Sequence, residues 1–449
     1  MRRRPGGRTV STRLYWFGTD LRLDDHPGLR RALAGTTRLL PVYCHDPRDA
    51  AMTPWGFARV GGHRQRFLAA TLADLRVRLE QRGSTLVEVD GRPRDVLPVL
   101  ARSVQATEVV CEAVEQAESL AEVDALRGAG IAVAAVWHST LFDPQRLPFP
   151  LHDMPRHFTP FRQAIEQSAA RAEAPLPMPE VLPPPPPVPP ALSGSAGTAT
   201  PQPWPGDARS SFPYHLPTHA GGETAALAHL ARYFSGPLAT AYRTTRNRLS
   251  GTDNSTKFSP WLAHGALSPR RVLAQLRRFE AERGASDGSY AIWFELLWRD
   301  FFRLLVLRER QRSRAAAPAA VAPPAPLPHA EGAGSAATRD AFERWRSGST
   351  GVPLVDAGMR ELAATGFLSN RLRQLAASYL IHDLGADPMA GAAWFASQLI
   401  DFDPYSNDGN WRYIAGTGAD PRGGRRFNVE KQTRDHDPDG QFQVLWGAA

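Results

Sequence analysis

The sequence predicts an α/β N-terminal domain built on a Rossmann-like parallel sheet, a long Pro-rich linker, and an all-α C-terminal domain. Three observations lead there. From Leu14 to about Trp137, short β-type runs alternate with amphipathic segments, which is the rhythm of parallel strands joined by crossover helices. The stretch "LPPPPPVPPALSGSAGTATPQPWPG" holds too much proline and too many small residues to bury an apolar core of its own. Beyond it, the pattern is helical to the end. A chain of 449 residues exceeds one ordinary core, and the boundaries are read as 12–140, a linker over 141–218 that is partly disordered, and 219–449.

The expected strands are "RLYWF", "RLLPVYC", "STLVEV", "TEVVC" and "IAVAAVW", with helical segments such as "HRQRFLAATLADLRVRLEQRG" between them. Parallel sheets bind ligands at the carboxyl ends of their strands, which draws attention to "FGTDLRLDDHP" after the first. It has no G-x-G-x-x-G, and Pro27 suits the first turn of a helix. From about Leu141 to Tyr214 almost no helix or strand signal appears, and Pro175 to Pro205 reads as surface-hugging or disordered. Helices are then expected over 222–234, 269–283, 289–312, 338–347, 352–364, 369–384 and 388–399, interrupted by a second insert, "RAAAPAAVAPPAPLPHAEGAGSAA".

Composition narrows the function classes. The net charge is +8 and Lys257 and Lys431 are the only lysines, so the basic character is arginine, a planar fork for phosphate and carboxylate. Nucleic-acid affinity and plain coding bias both account for that. Cys44 and Cys111 lie in apolar runs, as buried thiols of a reducing compartment do, and no zinc spacing is present. No apolar run reaches membrane-spanning length, the arginine-rich head reads as a frayed terminus, and a cytoplasmic location is expected.

Four stretches carry candidate chemistry. In "STKFSP", Ser255, Thr256, Lys257, Phe258 and Ser259 precede a Pro260-initiated helix, and by themselves they read as a capped helix start before they read as a diphosphate cradle. "WFELLWRDFF" spaces Glu295 and Arg299 as i and i+4 among aromatic residues, either a polar seat in a pocket or part of a core. "LSNRLRQ" sets Asn370, Arg371, Arg373 and Gln374 at a helix start, where arginines oppose the macrodipole and call for a carboxylate; Asp401 and Asp403 are the obvious partners. "LIDFDPYSNDGNWRY" crowds Asp401, Asp403, Asn407, Asn410 and Trp411 between apolar flanks, so this polar cluster is expected inside a core and needs partners.

Together "YWFGTDLRLDDHPGL", "STKFSPWLAHGALSPR", "ELLWRDFF", "GVPLVDAGMRELAATGFLSNRLRQ" and "SQLIDFDPYSNDGNWRYIAGTGADPR" resemble, in order, the photolyase/cryptochrome family of flavoproteins; Gln374, Tyr413 and "TGADPRGGRRFN" resemble its DASH cryptochrome branch. The resemblance implies FAD folded into the helical domain. Asn407 would face its N5, Asp403 its imide edge and Arg299 its ring; Asp401 would pair with Arg373, Tyr242 would meet the adenosine, and residues 255–259 the diphosphate. It implies light-driven electron transfer to a flipped cyclobutane pyrimidine dimer in DNA, single strands preferred. Glu295 would hydrogen-bond the dimer, Trp298 and Tyr413 would wall it, and Arg246, Asn370, Arg371 and Gln374 would line the DNA side. The absence of histidine at positions 370 and 374 speaks against (6-4) photoproduct repair. A methenyltetrahydrofolate antenna, anchored at Glu115, and a monomeric state are further expectations.

One departure stands out. Family members relay electrons to the flavin through three tryptophans; Trp411 matches the first, the second position holds Pro388, and the third falls in the alanine/proline insert. Either Trp394, Tyr379 or Tyr405 substitutes, or light-driven reduction is weak. Two rival readings follow: a signalling photoreceptor of the same fold without repair activity, and a colourless nucleic-acid-binding protein.

Overall fold

The computed structural model describes residues 11–190, 192, 204–316, 336–418 and 423–447. The described residues form two compact units, one from residues 1–47, 72–139 and 176–200, the other from 48–71, 140–175 and 201–449.

The first unit is a five-stranded parallel sheet in the order β3-β2-β1-β4-β5. Its strands are β1 (Thr12–Phe17), β2 (Arg38–His45), β3 (Val87–Asp90), β4 (Glu108–Glu112) and β5 (Val133–Val136), each where a β-type run was expected. The register pairs Tyr15 with Pro41 on one side and with Val110 on the other. Pro41 is tolerated inside a strand because its ring leaves the carbonyl free while removing only one donor. The helices α1 (Pro27–Leu33), α2 (Gly62–Glu80), α3 (Pro93–Ser103) and α4 (Ala117–Gly128) alternate with these strands, α2 beginning in the other unit. Pro27 opens α1 as expected, and the His26 ring accepts from the Leu29 N–H to cap it. Leu14, Leu40, Val42, Leu97 and Val109 form the core of the unit. Cys44 and Cys111 are buried and unpaired in disulfides, and burial pushes the Cys111 thiol up to about 12.

The loop after β1 and the loop after β4 lie side by side, because the strand order reverses between these two neighbours. Asp20 and His26, from the loop after β1, meet His138, which follows β5, in the interior. The tautomer decides how to read them. His26 Nδ1 already accepts from Leu29 at 3.1 Å, so in the neutral ring Nε2 carries the proton, facing Asp20 Oδ2 at 3.3 Å. With Tyr15 Oη donating to the same carboxylate at 2.5 Å, the cluster reads as a hydrogen-bonded anchor for the loop.

The second unit is helical: α5 (Phe158–Gln167), α6 (Glu223–Ser235), α7 (Leu238–Thr245), α8 (Ser259–Ala263), α9 (Pro269–Arg283), α10 (Asp287–Ala316), α11 (Ala336–Ser347), α12 (Pro353–Thr365), α13 (Asn370–His382), α14 (Pro388–Gln398), α15 (Pro404–Ala415), α16 (Val429–His436) and α17 (Gln441–Leu445). The local signals are legible: Ser268, Ser369, Asp387 and Asp403 cap α9, α13, α14 and α15 through their side chains, and Gly366 and Gly416 end α12 and α15 in the left-handed conformation. Its core gathers Trp345, Trp411, Phe395, Leu362 and Leu380.

One expectation needs correction. The stretch from 141 to 214 is not without helix, since α5 sits in it with Phe158, Phe161 and Ile165 buried at helical spacing. Its prolines and polar neighbours masked that short apolar stripe. The proline-rich stretch after Pro175 runs along the first unit: Leu176 N–H donates to Asp25 Oδ1 at 2.9 Å, and Leu182 N–H to the Arg82 carbonyl at 2.9 Å. Residues 191 and 193–203 of it, most of the second insert and part of the "TGADPR" segment lie outside the described residues.

Candidate functional site

Inside the helical unit lies a cavity of about 540 Å³, a size that suits an organic cofactor. Tyr242 and Arg246 from α7, residues 254–259 before α8, Glu295, Trp298 and Arg299 from α10, and Asn370, Arg373 and Gln374 from α13 line it, together with Asp401, Asp403 and Asn410. A smaller recess of about 80 Å³ shares Asn370, Arg373, Gln374, Asp401, Asp403 and Asn410 with it and adds Asn407 and Trp411. Thus the predicted residues of five separate stretches converge on one place.

The polar octapeptide of the sequence turns out to be helix α15. Asp403 Oδ1 caps it by accepting from the Ser406 N–H at 2.9 Å, and Pro404 fills the first turn, where no donor is needed. Gly409 is required by close packing: a Cβ there would lie 2.3 Å from Phe302 on α10. Asn407 donates from Nδ2 to the Ala392 carbonyl at 3.2 Å, which fixes the orientation of its amide at the recess. Trp411 is buried with its ring packed on Phe395 at 5.3 Å and on Trp345 at 6.4 Å.

The expected pairing of Arg373 with Asp401 is present at 2.8 Å, and the carboxylate is almost wholly buried. Arg371 takes another course, donating to Asn247 Oδ1 at 3.2 Å. Asp403 pairs instead with Arg303 of α10, a residue the sequence reading missed. Although burial opposes its charge, Arg303 and Arg299 hold the Asp403 carboxyl below the usual carboxylate range. Arg303 follows Arg299 by one turn on the same helix face, and that spacing was a usable signal.

Glu295 and Arg299, read as a polar seat in a pocket or as part of a core, both line the cavity. Glu295 pairs with Arg246 across from α7, while Arg299 reaches toward the Leu262 carbonyl at 3.4 Å. Burial raises the Glu295 carboxyl above its ordinary value in spite of Arg246. Trp298 and Tyr413 meet edge to face at 6.2 Å, and Phe158 of α5 stacks on Trp298 at 3.7 Å between ring centroids. No local signal near residue 298 pointed to Phe158. Arg425 adds a guanidinium over the Tyr413 ring at 4.9 Å.

At the other end, Tyr242 is buried, and the Arg246 guanidinium lies 5.7 Å from its ring centre. Phe258 packs its ring among Tyr233, Phe234 and His229, while the backbone around it faces the cavity. Lys257 adopts a left-handed φ of +57°, a conformation costing a non-glycine residue about 1–2 kcal/mol. Its ammonium sits buried above the Phe367 ring at 4.9 Å. Glu115 is half-buried in the loop after β4, in the first unit.

These residues fit a flavin nucleotide. Asp401 Oδ1 is buried at the cavity wall without a hydrogen-bond partner, so it is a ready acceptor. The cavity is also lined by the buried cation Lys257 and by Ser255 and Ser259, groups able to hold an anionic diphosphate.

Residues 292–447 match the family described as FAD binding domain of DNA photolyase, and residues 13–183 match the family described as DNA photolyase. The Cryptochrome DASH of Gloeobacter violaceus is 42% identical over 98% of this chain and 86% of its own length. That of Synechocystis is 41% identical over 97% of this chain and 87% of its own. Among solved structures, the Synechocystis cryptochrome superposes with a TM-score of 0.84 at 39% identity, covering 97% of this chain and 89% of that one. A bacterial class III photolyase from Agrobacterium tumefaciens reaches a TM-score of 0.78 at 28% identity, over 98% of this chain and 86% of that one. Matching both family models, and similar to these relatives over nearly its whole length, the chain belongs to the photolyase/cryptochrome family, on its Cryptochrome DASH branch.

Proposed function

We propose that the chain binds FAD in the helical cavity and uses blue light to repair cyclobutane pyrimidine dimers, in single-stranded DNA by preference. The observation that carries this reading is one juxtaposition. A dimer-sized aromatic wall, Trp298 against Tyr413 with Glu295 beside it, lines the same cavity as the buried Arg373–Asp401 and Arg303–Asp403 pairs. Bound and reduced FAD supplies, on excitation, one electron that is returned once the two cyclobutane bonds have broken.

The chain's residues do the positioning. Trp298 and Tyr413 stack against the flipped pyrimidines and replace the base stacking lost on extrusion. Glu295, held by Arg246, would hydrogen-bond the flipped dimer. Asn370, Arg371 and Gln374 at the start of α13 meet the DNA strand, which costs little to unpair when already single. Asp401 and Asp403, with Arg373 and Arg303 neutralising their charge, would accept from the N–H groups of a bound flavin. Asn407 presents its amide to the ring.

Trp345 and Trp411, whose buried rings lie 6.4 Å apart, would carry electrons toward the flavin, because Pro388 occupies the second relay position. Trp394 packs on Phe57 at 5.0 Å, farther along the same aromatic cluster. An antenna folate is proposed at Glu115 beside the β1–β4 reversal, and the chain is proposed to act as a monomer.

The test is anaerobic illumination of the purified, reduced protein with dimer-bearing single- and double-stranded oligonucleotides. Faster loss of dimers from single strands supports the reading. A yellow protein that leaves dimers intact supports signalling instead, and a colourless one abandons the flavin.

A further inference from the structure

Behind the diphosphate end of the cavity lie two buried ionisable groups that the mechanism above does not use together. Glu361, on α12, is wholly enclosed. Its Oε1 accepts from Ser211 Oγ at 2.9 Å, and its Oε2 is buried without a hydrogen-bond partner. Lys257, from the loop before α8, is nearly as enclosed and lines the cavity, its ammonium resting on the Phe367 ring. The two charges feel each other without closing into an ion pair. The other charges facing them are Arg373 from α13, Asp401 after α14 and Asp253 before Lys257, with His219 and His229 close to Lys257.

A buried ammonium without a carboxylate partner, aimed into a cavity, is an unsatisfied cation waiting for an anion. A buried carboxyl behind it, with one oxygen unmatched, is cheaper to keep neutral than charged. Were Glu361 ionised, it would both neutralise Lys257 and repel an entering diphosphate.

We propose that Lys257 and Glu361 form a proton-linked anion lock, in which the ammonium grips the diphosphate of the bound dinucleotide only while the Glu361 carboxyl stays protonated. The inference rests on the FAD reading given above. Desolvation supports it from both sides, lowering Lys257 to about 8 and raising Glu361 to about 8. The sign is the same for both groups. As pH rises through that region, Lys257 loses its charge, Glu361 gains one, and the grip on an anion weakens twice.

The experiment is a titration of flavin-stripped protein with FAD, followed by quenching of flavin fluorescence, between about pH 7 and about pH 9. For wild type, affinity is expected to fall by up to ~100-fold over that range, about tenfold for each group. In Glu361→Gln, which keeps the Ser211 hydrogen bond, about a tenfold fall from Lys257 remains, and FAD is held at least as tightly as by wild type at the alkaline end. ADP, which carries the diphosphate without the flavin ring, should show the same two slopes in a competition assay. An identical slope in wild type and Glu361→Gln overturns the lock, as does a wild-type affinity that is flat across the range. If wild type takes up no FAD at any pH, the underlying flavin reading fails instead, so the two failures are told apart.

Discussion

Asp300 offers the sharpest test of how α10 is held in place. Its side chain is wholly buried, and Oδ2 accepts from the Leu141 N–H at 2.7 Å and the Phe142 N–H at 3.3 Å, tying the chain that follows residue 140 to the helix bearing Glu295, Trp298 and Arg299. Oδ1 is buried without a partner. Burial is the largest influence on this carboxyl and raises it from 3.8 to about 7, against the opposing pull of Arg299, the two backbone donors and Arg303. The folded protein therefore holds the proton more tightly than the unfolded chain does. Stability from this group is complete below the unfolded value and is lost as pH rises through the folded one. A gap of about three units corresponds to ~4 kcal/mol in total, of which ~2.5 kcal/mol falls between about pH 5 and about pH 8.

Asp300→Asn keeps an oxygen for the two backbone donors and cannot ionise. Its new amide N–H groups lack a buried acceptor, which imposes a pH-independent cost of ~1–3 kcal/mol. The double difference cancels that cost. Urea unfolding followed by tryptophan fluorescence, at both pH values, should show the gap between variant and wild type shifting by ~2.5 kcal/mol in the variant's favour at the higher pH. A gap that stays constant with pH would refute the buried, proton-holding carboxyl, and a shift of opposite sign would show Asp300 ionised and stabilised by its arginines.

Other expectations follow from the cavity. Arg373→Ala leaves the buried Asp401 carboxylate alone, at a cost of ~3–5 kcal/mol, and the protein should purify with little flavin, as read from its visible absorption. Glu295→Ala should keep its yellow colour while repairing dimers about 10–100-fold more slowly, the worth of one charge-assisted hydrogen bond of ~1.5–3 kcal/mol; loss of colour would mean that Glu295 holds the cofactor. Asn407→Asp should change which flavin redox state persists after illumination, and unaltered spectra would remove Asn407 from the ring's neighbourhood. Trp345→Phe should slow light-driven flavin reduction in transient absorption while leaving repair by chemically reduced protein intact.

The functional stretches were legible because their chemistry is local in sequence. The caps of α13, α14 and α15, the polar crowding of residues 401–411, and the misplaced arginine that Asp401 answers all sit within a few residues of their own signal. Partner choice was less so. Nothing near Glu295 in sequence pointed to its partner Arg246; Asp403 was set against Arg371 or Arg373 and meets Arg303.

What the amino-acid order determined by itself was the kind of element at each place: alternating apolar runs dictate strands, helical spacing dictates helices, and proline and glycine mark their ends. Only the tertiary structure decided who meets whom. Phe158 against Trp298, Trp345 against Trp411, and Glu361 behind Lys257 are joined across long stretches of chain. A backbone's local preferences reach only a turn or two, whereas burial and ion pairing are settled by the packing of whole helices, where any nearer candidate gives way to the partner that fills the space and satisfies the charge.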